Sequence, residues 1–111
     1  MNVSPFRSPR VPVGEAELMA WLVRAAPGDR IAYWRGHLAI DASPLASPLC
    51  SEHRIRLAGI GDLAWRMARA GWIHLLQLRH GPNDFSYLAV ARPRSHRRSG
   101  LLLATLAKEA A

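Results

Sequence analysis

Residues 54–92, RIRLAGIGDLAWRMARAGWIHLLQLRHGPNDFSYLAVAR, contain the pattern that decides the fold. Four apolar residues recur at the spacing of one helical face: Ile60, Leu63, Ala64 and Met67. Gly71 then ends this helix, because a left-handed residue costs glycine little. The segments on either side of the turn-forming HGPND at 80–84 are rich in aromatic and β-branched residues. The stretch therefore predicts an amphipathic helix followed by an antiparallel hairpin.

Upstream of this stretch, the sequence predicts a helix, a second hairpin and a loop. Residues 14–26 place glutamates in the first turn and an apolar stripe behind them, as a helix does. Residues 30–41 alternate in polarity on both sides of Arg35-Gly36, which predicts two short strands. Residues 42–53 contain two Ser-Pro-Leu units and are expected to form an irregular loop before Ser51 or Glu52 begins the long helix.

Two glycines interrupt the first half of the long helix. Gly59 and Gly61 each cost about 1 kcal/mol relative to alanine inside a helix. We therefore expect a break there, with Asp62 capping a second segment over residues 63–70. Two short helices joined by a tight glycine turn would form a helix-turn-helix.

The two ends of the chain differ from its centre. Residues 1–13 contain three prolines and two arginines, which predicts a flexible extended arm. In residues 93–111 the sequence predicts a basic linker followed by an apolar helix with Ser99 as its N-cap. Its leucines must be buried either on the parent domain or on a second copy, and we expect a homodimer formed through Leu102, Leu103 and Leu106.

Composition restricts the class of protein. The 111 residues suit one domain, and the net charge of +7 favours a polyanionic partner such as nucleic acid. A GC-rich genome that encodes arginine freely is the alternative, since Lys108 is the single lysine. One cysteine excludes an intrachain disulfide, and neither a signal peptide nor a membrane span is evident, so we expect a cytoplasmic protein that does not engage a membrane.

Catalytic patterns are weak in this sequence. The serines lack a nucleophile-elbow setting, and the carboxylates are spread singly. Cys50 and His53 have the spacing of two zinc ligands, but a zinc site needs about four. We expect no catalytic residues, no metal site and no cofactor, and hence no enzyme.

Basic side chains fall on three elements: the long helix, the hairpin tip and the segment after the hairpin. Arginine grips phosphate with two parallel hydrogen bonds and reads guanine in the major groove, so these residues are candidates for nucleic-acid binding. The alternative is that they form the solvated side of each element. The candidate nucleic-acid-binding residues are Arg54, Arg56, Arg66, Arg69, Arg79, His80, Arg94, Arg97 and Arg98.

The order of predicted elements, with DLAWRMARAGWIHLLQLRHGPNDFSYLAVAR at its end, resembles the winged helix-turn-helix superfamily. More narrowly, GDRIAYWRGHLAID together with the later hairpin resembles small, uncharacterised proteins of bacterial prophages. The resemblance covers residues 14–92 and implies a recognition helix at 62–70 and a wing at 80–84. Winged helices place two helices between the first strand and the recognition helix, where this sequence predicts a second strand and a loop.

These observations predict a single small α+β domain of winged-helix type, with the order helix–hairpin–helix–hairpin–helix. The expected function is sequence-tolerant or regulatory binding of double-stranded DNA, without catalysis, by the arginine-rich helix and the wing. The alternative is a protein-interaction module, such as a phage-encoded accessory or inhibitor protein that binds a host nucleic-acid-handling complex.

Overall fold

A computed structural model describes residues 11–94 of the chain. They form a small α+β domain in which three helices cover a three-stranded antiparallel sheet. The elements, in chain order, are α1 Glu15–Arg24, β1 Arg30–Gly36, α2 Leu38–Asp41, α3 Ser51–Arg69, β2 Ile73–Gly81 and β3 Asp84–Ala91. Residues 1–10 of the expected arm and residues 95–111 of the expected linker and helix lie outside the described residues.

The sheet has the strand order β1-β3-β2, so β3 is central and β2 is an edge strand. The predicted hairpin of β2 and β3 is confirmed, with Gln77 opposite Tyr87 in its middle. Its turn includes Asn83, whose φ of 56° lies in the left-handed region that asparagine tolerates. Strand β1, which comes first in the chain, pairs antiparallel with the other side of β3.

The predicted first hairpin is wrong. Only its first half is a strand, and residues 38–41 form the short helix α2. The Asp41 carboxylate turns the chain back, because its Oδ2 accepts hydrogen bonds from Trp34 Nε1 at 2.9 Å and from the His37 backbone N–H at 3.1 Å. The Tyr87 hydroxyl accepts a further bond from the backbone N–H of Leu38 at 2.9 Å. These contacts hold the segment as a helical turn, and β3 takes the place that a return strand would occupy.

The predicted break in the long helix is also wrong, because α3 is continuous over 19 residues. The two glycines lie where neighbouring elements approach closely. A Cβ at Gly59 would lie 2.9 Å from Glu15 Oε2 of α1, and one at Gly61 would lie 3.5 Å from Leu38 Cδ2 of α2. Packing of α1 and α2 therefore offsets the low helix propensity of glycine. The predicted end is confirmed, since α3 stops at Arg69 and Gly71 has a φ of 88°.

The core lies between the helices and one face of the sheet. The predicted stripe of α3 is buried, as are Leu18 and Leu22 of α1. Trp21 of α1 is half-buried and packs against the core. The buried side chains at its centre are Leu18, Leu22, Tyr33, Trp34, Leu57, Ile60, Leu63, Ala64, Met67, Trp72, Ile73, Tyr87 and Ala89.

Within residues 11–94, none of the helices combines the length and the apolar character that crossing a lipid bilayer requires.

Candidate nucleic-acid interface

Helix α3 presents a mixed basic and aromatic face to solvent. Its buried stripe recurs every three or four residues, so the side chains between those positions point away from the core. Trp65, Arg66 and Arg69 are exposed on this side of the helix, whereas Arg56 is exposed about 180° around the helix from Trp65 and Arg54 is half-buried. The structure thus places four of the candidate arginines on α3, with different degrees of access to a partner.

Two of these arginines form ion pairs within the helix. Arg66 Nε lies 3.0 Å from Asp62 Oδ2, and Arg56 Nη2 lies 3.7 Å from Glu52 Oε2. Both pairs join residues four apart on an exposed surface, where such a pair contributes only about 0.3–0.5 kcal/mol. A phosphate oxygen could therefore replace either carboxylate at little cost.

Trp65 is a surface residue that the sequence pattern did not single out. It is 54% exposed, which is high for the largest apolar side chain. The guanidinium carbon of Arg69 lies 4.9 Å from the centre of its ring, a cation–π distance. The sequence could have predicted this exposure, because Trp65 directly follows Ala64 of the buried stripe and therefore points away from the core.

Arg79 and His80 lie at the end of β2, next to the turn of the hairpin. Arg79 Nε donates to the carbonyl oxygen of Gly81 at 3.4 Å, and its side chain remains exposed. His80 Nε2 lies 2.7 Å from Ser86 Oγ across the hairpin. On β1, at the other edge of the sheet, Arg35 forms a two-point contact with Asp84 of β3, with nitrogen–oxygen distances of 3.0 and 2.9 Å. This bond to Arg35 is the main cause that lowers the pKa of Asp84.

Arg94 binds within the protein. Its Nη2 donates to the carbonyl oxygens of Leu22 at 3.0 Å and Val23 at 3.2 Å, and it approaches that of Ala25 at 3.5 Å. These carbonyls lie at the C-terminal end of α1, where a positive charge is favourable, and that of Leu22 also accepts from the backbone N–H of Ala25 at 3.3 Å. Arg94 therefore fastens the end of the domain to α1, a role that the sequence did not indicate.

Arg97 and Arg98 lie outside the described residues, as do Leu102, Leu103 and Leu106 of the expected dimer contact. Ten of the 15 Lys and Arg residues fall within residues 11–94, together with seven of the eight acidic residues. The excess of positive charge in the described domain is thus smaller than that of the whole chain. Binding to a polyanion through this domain would depend on where its arginines lie.

A shallow cleft of about 220 Å³ opens between α2, α3 and β2. It is lined by Tyr33, Leu38, Gly61, Trp65, Leu75, Leu76, Gln77 and Tyr87. Burial raises the pKa of Tyr33 to about 12, and the neighbouring Tyr87 adds to this shift. The cleft is smaller than a usual small-molecule site of about 300–1,000 Å³.

In the part of the chain that the structure describes, no three His, Cys, Asp or Glu side chains converge as metal ligands would. Cys50 is an exposed free thiol immediately before α3, and His53 lies one turn into that helix.

No protein-family model matches the chain, and neither a curated protein nor a solved structure shows significant similarity to it.

Proposed function

We propose that this protein is a non-catalytic, winged-helix-type protein that binds double-stranded DNA through α3. The observation that carries this proposal is topological. The element order α1-β1-α2-α3-β2-β3, with β3 between the other two strands, resembles that of a winged helix and supports the proposal. In that arrangement α3 is the recognition helix and the turn between β2 and β3 is the wing.

The short helix α2 supports this assignment. The sequence predicted a strand at Leu38–Asp41, which would have separated the chain from the winged-helix pattern. A helix at this position puts one helix, α2, between β1 and the long helix α3, where the sequence predicts none. The nine residues 42–50 that join α2 to α3 make this connection longer than a tight helix-turn-helix turn.

The size and surface of α3 suit a duplex. Its 19 residues extend over about 28 Å, and an α-helix fits the major groove of B-DNA. Arg66 and Arg69 would grip phosphates or guanine edges, and Trp65 would pack against the sugar-phosphate backbone beside them. Arg79 would contact the adjacent backbone from the base of the wing.

The experiment is a gel-shift titration of a duplex over a series of salt concentrations. Arg66→Ala combined with Arg69→Ala should weaken binding and reduce the salt dependence by about two units in the logarithmic slope, because two phosphate contacts no longer release counterions. The matched control combines Arg24→Ala with Arg92→Ala. It removes the same charge from exposed positions at the ends of α1 and β3.

Equal losses in the two double variants would show that the protein's overall charge, rather than the α3 face, attracts DNA. A wild-type protein that binds no duplex at any salt concentration would refute the proposal itself.

An exposed apolar strand favours a second candidate, a protein-interaction module. Leu75, Leu76 and Leu78 of the edge strand β2 are partly exposed, and Leu75 and Leu76 line the cleft together with Trp65. An edge strand also offers backbone groups to an added strand. A phage-encoded accessory or inhibitor protein acting on a host complex would use such a surface. This candidate predicts a complex with a host protein that Leu78→Lys disrupts, without any effect of the Arg66 and Arg69 substitutions.

A further inference from the structure

The cleft between α2, α3 and β2 has a buried aromatic floor. Tyr33 and Tyr87, which both line it, are 3% and 8% exposed, and their ring centres lie 6.3 Å apart. The Tyr87 hydroxyl accepts a hydrogen bond from the backbone N–H of Leu38 at 2.9 Å, and Leu38 also lines the cleft. Contacts within the domain therefore fix the floor of the cleft before any ligand enters it.

Exposed side chains form the rim of the same cleft. Trp65 of α3 is 54% exposed, and Leu75 and Gln77 of β2 are exposed as well. Gln77 lies opposite Tyr87 in the sheet, so both side chains extend from the same face of the sheet. The amide of Gln77 both donates and accepts hydrogen bonds. The rim therefore offers an indole ring for stacking and an amide for a polar edge.

Helix α3 connects the cleft with the basic surface of the protein. Gly61, Trp65 and Arg69 are each four residues apart, so they form one ridge along the helix. Gly61 lines the cleft and adds no side chain to it, whereas the guanidinium carbon of Arg69 lies 4.9 Å from the centre of the Trp65 ring. Arg66, the next residue after Trp65, is also exposed. Two guanidinium groups thus adjoin the exposed ring at the cleft.

These features suit one unpaired nucleobase. A base has a planar ring that stacks on aromatic side chains, and its edge carries donors and acceptors that an amide can match. The phosphates beside the base are negatively charged, so they complement the guanidinium groups next to Trp65. At about 220 Å³ the cleft is smaller than a usual small-molecule site, which favours one ring system over a larger ligand.

We propose that the cleft binds one unpaired base of a DNA strand, with the base stacked on Trp65 and its phosphates held by Arg66 and Arg69. This inference rests on the proposed binding of DNA through α3 and names the part of the DNA that the cleft takes. A paired base is stacked within the duplex and does not enter the cleft. In a duplex that ends in a single-stranded overhang, the paired part would contact α3 and an unpaired base would turn into the cleft.

Fluorescence-anisotropy titrations of the full-length protein with three DNA molecules test this proposal. The first is a blunt duplex, the second is the same duplex with a short single-stranded overhang, and the third carries that overhang built of abasic sites. The second and third have equal charge, so a difference between their affinities comes from the bases. The base-bearing overhang should bind about 5- to 100-fold more tightly than the abasic one. Trp65→Ala should remove most of this difference, and Trp65→Phe should retain part of it, because phenylalanine still offers a ring.

Ile55→Ala is the matched control, since it truncates an exposed apolar side chain of α3 away from the residues that line the cleft. It should leave the difference between the two overhangs unchanged, and equal effects of Ile55→Ala and Trp65→Ala would overturn the proposal. If Trp65→Ala does not fold, as judged by circular dichroism, Gln77→Leu takes its place, because the loss of the amide should reduce the same difference.

The blunt duplex separates this proposal from the proposed function. Equal affinities for the two overhangs, with tight binding of the blunt duplex, would overturn the proposal alone and leave an aromatic side chain of a protein partner as the remaining occupant of the cleft. Binding of the base-bearing overhang without binding of the blunt duplex would support the proposal and refute duplex binding through α3. Binding of none of the three molecules would overturn both.

Discussion

Gly36→Ala should destabilise the protein by far more than an ordinary glycine-to-alanine change, because two separate constraints act at this position. The backbone of Gly36 has a φ of 142°, a conformation that costs other residues about 1–3 kcal/mol. A Cβ there would also lie 2.5 Å from Asp41 Oδ2. That oxygen holds Trp34 and the start of α2, so moving it would weaken hydrogen bonds to a charged group, each worth about 1.5–3 kcal/mol.

The expected cost is about 3 kcal/mol, since water can recover part of the loss at this half-buried site. Equilibrium urea unfolding measures it. Gly81→Ala is the matched control, because its φ is not positive and no atom lies within 4 Å of the added Cβ. The control should change the free energy of unfolding by no more than about 1 kcal/mol in either direction.

The contribution of Asp41 can be separated from the backbone strain. In an Asp41→Ala background the clash is absent, so Gly36→Ala should cost only the backbone part, and the two substitutions should not be additive. A Gly36→Ala protein within about 0.5 kcal/mol of wild type would refute the reasoning, and with it the account of how α2 forms.

Three further predictions concern the core and two titrating groups. Leu63→Ala should cost about 2–5 kcal/mol, because Leu63 is 1% exposed, whereas Ile55→Ala on the exposed side of the same helix should cost about 0.5 kcal/mol or less; equal thermal melting points would contradict this. Because the pKa of Asp84 is lowered in the folded protein, its ionised carboxylate stabilises the fold above the ordinary pKa of 3.8, and this stabilisation is lost as the pH falls. Arg35→Gln should therefore reduce the urea midpoint more at pH 7 than at pH 3, and equal reductions would argue against the ion pair of Arg35 and Asp84. Because burial raises the pKa of Tyr33 to about 12, the folded protein loses stability as the pH rises above 10. The urea midpoint of Tyr33→Phe should therefore improve relative to wild type between pH 10 and pH 12, and a constant difference between the two midpoints would contradict the burial of this phenol.

The sequence by itself predicted the elements whose signals are local. The stripe of α3 and the glycine that ends it follow from helical spacing and from the backbone freedom of one residue. The hairpin of β2 and β3 follows from two apolar runs around a strong turn. These features hold because neighbouring residues determine them, whatever the rest of the chain does.

The contacts of the basic side chains could be predicted only in part from the sequence. The partners of Arg56 and Arg66 lie four residues away along the same helix, so the sequence contained both ion pairs. The partner of Arg94 is the last turn of α1, about 70 residues earlier in the chain. No spacing rule connects two such positions, and Arg94 was therefore predicted from the sequence as one more DNA-binding residue.

Only the tertiary structure decided the conformation of residues 36–41 and the continuity of α3 through its two glycines. The alternation around Gly36 suits a strand, but β3 occupies the edge of β1 that a return strand would need, and Asp41 draws the chain into a helical turn. Gly59 and Gly61 weaken an isolated helix, yet in the folded protein they admit α1 and α2 close to α3. In both cases contacts between residues distant in sequence outweigh a local preference of about 1 kcal/mol, because the packing that they allow buries the core of the whole domain.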